Sequence, residues 1–493
     1  MYHTLFPDYF MRFLAKTAGI LGVPLQILQR IQFTEGGAEL IAMVKRDQKK
    51  HLDAIYSKRY TKERSGGGGQ DMLSADLLLC FAVARAYHPD CFGERGWKKM
   101  LSNLDIHQML ANFGCEKFPG RSTVHQHYGF LSIDSVMKLH QLILKTVSDE
   151  KIDDFSWLTM DSTAIASVSK WPVDSETLYR LLEKAYNAMQ VLVDLRGKQK
   201  GWKSKVATLP LKSAQNLLLD LNLLKQQIDF AKGKKGAKKI RRRGYVDMCS
   251  KGEKLWNKLG GITAKLDDFS MQGKELEAYE EAMSQVYNRI YFVQKRFELA
   301  TIDDFGDVEP ELLLSFSDND AVFIKKGGRE TTFGYRPNIC RSAEGFITSI
   351  LVQSGNPADT TVLVPSVDDH IKQTSVVPAL VSSDDGYPSD EGLQALIERG
   401  VHAFSASGAK GKRLVGDEVW ELDLFKEMRR MRSNAEATIS HYKRDFHMSR
   451  LSIGEGDCVE KEMMLRAISF NLELLGNRLQ DRHSAMEYTA EAI

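Results

Sequence analysis

The sequence predicts an α/β protein: a mixed sheet flanked by helices, interrupted by a long helical insertion and preceded by an all-α region. Three observations carry this. Short apolar runs bounded by turn residues occur near position 155 and again between 310 and 406. Before the first of them, apolar residues recur at helical spacing. Between the two groups, from about 175 to 300, the pattern is almost wholly helical and charged.

Composition narrows the class. The chain has 493 residues, 43% hydrophobic and 27% charged, enough to bury substantial cores in roughly two to four domains. Net charge is only +2, so nucleic-acid affinity has to come from local basic clusters. Cys80, Cys91, Cys115, Cys249, Cys340 and Cys458 form no CxxC pair, which argues against a zinc site and a disulfide framework and fits a reducing cytoplasm. No basic, then apolar, leader opens the chain, and no window reaches the ~18 apolar residues of a membrane span, so neither export nor a membrane is expected.

Residues 1–64 read as a helical segment, with Phe10, Phe13, Leu14, Ile20 and Leu21 at helical spacing and a charged piece from Lys45 to Arg64. A glycine-rich linker, 65–70, follows. Residues 71–150 are expected to form a compact helical, DNA-binding domain: Ser74 caps one helix, others cover 97–113 and 133–147, and Ser122 or Thr123 caps another. Arg121, His125, Gln126 and His127 at that helix start suit a helix-turn-helix reader of DNA, although such helices most often serve packing alone.

The first strand covers 155–161 and ends at Asp161. Pro172 stops regular structure, and Asp174 or Ser175 caps the first helix of an insertion over 175–300, with helices at 177–193, 209–230, 252–265 and 274–298. It holds the most basic stretch of the chain, Lys232 to Arg243, eight cations in twelve residues. Lys234, Lys235, Lys238, Lys239, Arg241, Arg242 and Arg243 are therefore candidate phosphate contacts, although a charge run is commonly just a solvated loop. Strands are expected at 312–316, 321–325, 333–340 and 346–353, then a helix at 367–374 and a strand at 377–383. A helix at 390–399, a strand at 401–406, a Gly/Lys-rich loop at 407–413, a helix through Glu436 and a terminal helix at 459–480 complete the chain. This order points to an RNase H-like core over 151–174 and 301–480, with 481–493 as a tail.

Asp161 and Asp384 each end an apolar run, and Glu436 lies in a helical pattern. Ends of adjacent strands lie only ~5 Å apart, so two such aspartates can face one another. With a helical glutamate they supply the hard oxygen ligands that two divalent ions ~3.5–4 Å apart need to act on a phosphodiester. Singly, each residue has a plainer role: the aspartates as turn formers or caps, Asp385 as a neighbour competing with Asp384, and Glu436 as a partner of Arg432. Arg429, Arg432, Glu436 and Lys443 share one helix face, beside an apolar stripe of Met431, Ala435, Ile439 and Tyr442.

The series Asp161, then Asp384 with Gly386 and Tyr387, then Arg432, Glu436 and Lys443 resembles the DDE transposases of bacterial insertion sequences. Arg429 stands where many members have tyrosine. The stretches 171–178 and 321–334 resemble the subgroup called ISNCY. The resemblance spans about 155–475, and 70–150 more loosely. It implies Mg²⁺ (or Mn²⁺) held by Asp161, Asp384 and Glu436, with Asp161 bridging the ions and Arg432, Lys443 and Arg429 on DNA. It also implies cleavage at terminal inverted repeats, joining of the 3′-hydroxyl to target DNA, a homodimer on DNA and a nucleoid-associated cytoplasmic location. The alternatives are a metal-dependent endonuclease without strand transfer, a non-catalytic DNA-binding descendant, and a helical scaffold protein whose basic run is incidental.

Overall fold

The computed structural model describes residues 5–6, 22–59, 73–87, 94–112, 118–169, 174–231, 236–266, 274–296, 315, 318, 320–325, 330–454 and 456–491. Phe10 to Leu21, the linker at 65–70 and the expected strand at 312–316 fall wholly or mostly outside them. The chain divides into two compact units, one of 1–168 with 320–493 and one of 169–319.

In the first unit the strands are β1 (Trp157–Ser162), β2 (Ile165–Ala166), β3 (Val322–Ile324), β4 (Thr332–Tyr335), β5 (Asn338–Ser342), β6 (Ile347–Leu351), β7 (Leu380–Ser383) and β8 (Ala403–Ala406). Five form a mixed sheet in the order β6-β5-β1-β7-β8. Central β1 is antiparallel to β5 and parallel to β7, and β7 is parallel to β8. Side chains alternate along β1. Leu158 and Met160 join Cys340 and Val381 in a buried cluster with Leu363 and Val367 of the helix Asp359–Thr374 and Leu396 of the helix Asp390–Glu398. Thr159 and Asp161 project from the opposite face, where Arg432 of the helix Asp423–Asp445 approaches Asp161.

A small second sheet has the order β2-β4-β3. Its backbones approach so closely that a Cβ on Gly334 would stand 2.0 Å from the Ile165 carbonyl oxygen. The expected single strand over 333–340 is in fact two, β4 and β5, belonging to different sheets. Pro337, which has no N–H and restricts the residue before it, forces the break at Arg336.

Helices Gly22–Gln32, Ala75–Tyr87 and Ile133–Asp149 pack on the helix Asp457–Glu491. Buried Glu462 of that last helix pairs with Arg466 and accepts hydrogen bonds from the Ser452 and Ile453 amides at 3.0 and 2.9 Å, fixing the loop after the Glu436 helix. The helix runs on to Glu491, so most of the expected 481–493 tail is helical. The expected loop at 407–413 contains a helix, Ala409–Val415, whose early amides are capped by Asp385. His127, expected among DNA-reading residues, is 5% exposed and bonded to Gln48 at 2.9 Å, so packing removes it from that role; Arg121, His125 and Gln126 of the same helix are exposed.

The second unit packs the helices Asp174–Gly197, Leu211–Phe230, Ala237–Thr263 and Lys274–Arg296 around Leu181, Leu221, Leu255, Leu259 and Val286. Asp174, instead of only capping its helix, forms a buried 2.9 Å ion pair with Arg289.

His370, in the helix Asp359–Thr374, is buried and bonded through Nδ1 to Thr348 Oγ1 at 2.8 Å. Burial lowers its pKa to about 4. The unfolded chain therefore binds more protons than the folded one between about pH 4 and about pH 6.5, and stability falls as pH drops through that window. Denaturant titrations at pH 7 and pH 5 should show a loss of up to about 1.4 kcal/mol per pH unit from this group, absent in His370→Asn.

Candidate active site

The site is built on the β1 and β7 pairing. Thr159 is level with Ser382 in the parallel register. Continued two residues past that pair along each strand, the register would set Asp161, near the end of β1, opposite Asp384, just past β7, and both carboxylates act on Tyr387. Asp161 is 6% exposed, and its Oδ1 accepts the Ser162 amide at 2.7 Å. Asp384 Oδ1 accepts the Gly386 amide at 2.9 Å, which tightens the turn. Asp385, the competitor next door, is committed elsewhere: its carboxylate accepts the amides of Lys410 and Gly411 at 2.9 and 2.7 Å.

The helix Asp423–Asp445 brings its charged face to this edge because Ala435, Ile439 and Tyr442 are buried beneath it, with Met431 half-buried. Arg432 Nη2 stands 3.9 Å from Asp161 Oδ2 and 3.1 Å from Glu436 Oε1, so the guanidinium lies between the two carboxylates. Glu436 is 60% exposed in its side chain. Lys443 Nζ donates to the Ala164 carbonyl at 2.6 Å and pins the loop after β1. Arg429 stacks on Trp420, 3.9 Å from the ring centroid.

Tyr387 is fully buried, and its hydroxyl donates to Asn338 Oδ1. Burial raises its pKa well above the ordinary value, and the carboxylates of Asp359, Asp161 and Asp384 add to the effect, so it remains a protonated donor beside them. Two contributors escaped the sequence reading, Asp359 and Arg336, which are joined by a 2.5 Å ion pair. The signals were there: a cation before a proline within an apolar stretch, and an aspartate two residues after Pro357 at a helix start.

The donor set is all carboxylate, which suits hard divalent cations. Among the described residues no three His, Cys, Asp or Glu side chains come close enough to hold an ion. Asp161 and Asp384 lie at neighbouring strand ends, while Glu436 is ion-paired to Arg432.

In the other unit the basic stretch is mostly helical. Lys239, Arg242 and Arg243 are exposed on the first turns of Ala237–Thr263, where spacings of three and four place them on one face, and Arg241 is half-buried. Lys238 lies in the same helix, and Lys234 and Lys235 lie outside the described residues.

The family model described as the transposase DDE domain matches residues 313–472. Over those residues the chain is similar to the transposase DDE domain. The match contains Asp384, Arg432, Glu436 and Lys443, and begins after β1 and its Asp161. The expectation of a DDE transposase on an RNase H-like mixed sheet holds. No curated protein and no solved structure matches the chain. Among the described residues no helix is long and apolar enough to cross a membrane.

Because Tyr387 supplies the hydrogen bond that buried Asn338 Oδ1 accepts, Tyr387→Phe should lose about 1–3 kcal/mol in urea unfolding.

Proposed function

We propose that this transposase cuts DNA at the ends of its insertion sequence and joins the freed 3′-hydroxyl to target DNA, with Asp161, Asp384 and Glu436 holding two divalent ions, Mg²⁺ or Mn²⁺. The supporting observation is the parallel register that, continued past β7, would set Asp161 opposite Asp384 beside the helix bearing Arg432 and Glu436. Bound divalent ions supply polarisation of the phosphodiester and of the attacking water or hydroxyl. The chain's own groups do the rest. An arriving phosphate competes for the Arg432 guanidinium, a planar donor suited to it, and so releases Glu436 towards the aspartates. Lys443 steadies the loop after β1, and Arg429, backed by Trp420, offers its charge to a neighbouring phosphate.

Lys239, Arg242 and Arg243, together with Lys234, Lys235, Lys238 and Arg241, bind the backbone of the same DNA, and the helices at 71–150 contribute to recognition of the ends. Two copies act together on the paired ends, as a homodimer in the nucleoid-bearing cytoplasm of a bacterium, and the stretches at 171–178 and 321–334 support the ISNCY-like subgroup.

The test is cleavage of a labelled duplex carrying the DNA that flanks the gene, with Mg²⁺ or Mn²⁺. Wild type should nick at the end and insert a supplied pre-cleaved end, and Asp161→Ala and Glu436→Gln should bind the duplex without cutting. Cutting by either variant refutes the residue assignment, and cutting without insertion favours the endonuclease. Separately, the triple change Lys239→Glu, Arg242→Glu and Arg243→Glu should reduce the slope of log affinity against log salt by roughly 2–3 in gel-shift titrations. An unchanged slope removes that helix from the DNA contact.

A further inference from the structure

Arg336 sits in the two-residue link between β4 and β5, the place where Pro337 breaks the strand. Its Nε donates to Ser162 Oγ at 3.1 Å, and Ser162 directly follows Asp161. Its Nη2 donates to Asp359 Oδ1 at 2.5 Å, and its Nη1 donates to Asn356 Oδ1 and to the Pro357 carbonyl, each at 3.3 Å. Asp359 presents its other oxygen to the turn after Asp384. A Cβ placed on Gly386 would stand 2.9 Å from Asp359 Oδ2 and 3.1 Å from Asp384 Oδ1. A charged strut therefore runs from the neighbour of Asp161, through Arg336 and Asp359, to the turn that holds Asp384. The pair is well shielded, with side chains 15% and 18% exposed, unlike the Arg432–Glu436 pair.

Resting on the catalytic reading above, we propose that Arg336 and Asp359 are positioning residues that set the separation of Asp161 and Asp384 and thereby the affinity of the site for divalent ions. Neither touches the reacting atoms; each acts through the aspartate beside it. A lysine cannot replace Arg336, because a single ammonium lacks the planar fork that reaches Ser162 and Asp359 together.

Isothermal titration of Mn²⁺ into the full-length protein tests this, with thermal unfolding and gel shift on the flanking duplex run alongside. Arg336→Gln, Arg336→Lys and Asp359→Asn should each weaken Mn²⁺ binding about tenfold or more, the usual consequence of removing groups that orient metal ligands, while duplex affinity stays at the wild-type level. The double variant Arg336→Gln with Asp359→Asn should be no weaker than the worse single, because the pair acts as a unit. Wild-type Mn²⁺ affinity in the folded variants, even with a lowered unfolding midpoint, makes the strut purely structural and overturns the proposal. Tighter binding by Arg336→Gln also overturns it, since Arg336 would then be a competitor occupying Asp359. Should Arg336→Gln fail to fold, Asp359→Asn carries the test. Asp161→Asn separates the two levels of inference. If it alone loses Mn²⁺, the aspartates hold metal and only the strut is refuted; if it also binds as wild type does, the catalytic reading falls and the strut with it.

Discussion

The parallel pairing of β1 with β7 is the constraint on which the rest of the site depends. It joins strands far apart in the chain and, through side-chain alternation, sends Leu158, Met160 and Val381 into the core while Asp161 is left at the open edge. A slip of one residue would turn the carboxylate into the apolar cluster and the apolar set towards the helix Asp423–Asp445. The closure entropy of a long connection grows only slowly with its length, so a whole helical unit, 169–319, can stand between β1 and the later strands.

Around that edge, charge is arranged in opposed layers. Buried Tyr387 stays protonated beside the carboxylates of Asp359, Asp161 and Asp384, and guanidiniums meet two of these, Arg336 at Asp359 and Arg432 at Asp161. Arg432 comes from a helix and is shared between Asp161 and exposed Glu436. Arg336 comes from a strand break and is shielded with Asp359. The exposed pair is weakly held and suited to exchange partners with a phosphate, whereas the shielded pair resists solvent screening and suits a fixed spacing.

Much of the mixed sheet was legible because buried strands write short apolar runs between turn residues, as at 155–161, 346–353 and 401–406. The expected strand at 333–340 failed because its apolar pattern is continuous across Arg336 and Pro337, and only the backbone chemistry of proline marks the change of sheet. The Gly/Lys-rich stretch at 407–413 looked like a loop because its helix depends on a distant carboxylate, Asp385, for capping. That same contact distinguishes Asp385 from Asp384, which adjacency in sequence left open. His127 was misjudged because helix pattern alone does not say which side faces Gln48.

By itself, the sequence determined the chemical types and their order: two aspartates at the ends of apolar runs, a glutamate in a helix with Arg432 and Lys443 at fixed spacings, and a dense basic stretch at 232–243. Those follow from local periodicity and from side-chain chemistry, which need no third dimension. Only the tertiary structure decided that Asp161 and Asp384 lie at neighbouring strand ends, that Arg432 stands between Asp161 and Glu436, and that Arg336 reaches both Ser162 and Asp359. The reason is physical: distances between residues far apart in the chain are set by strand register and helix packing, and no local pattern encodes them.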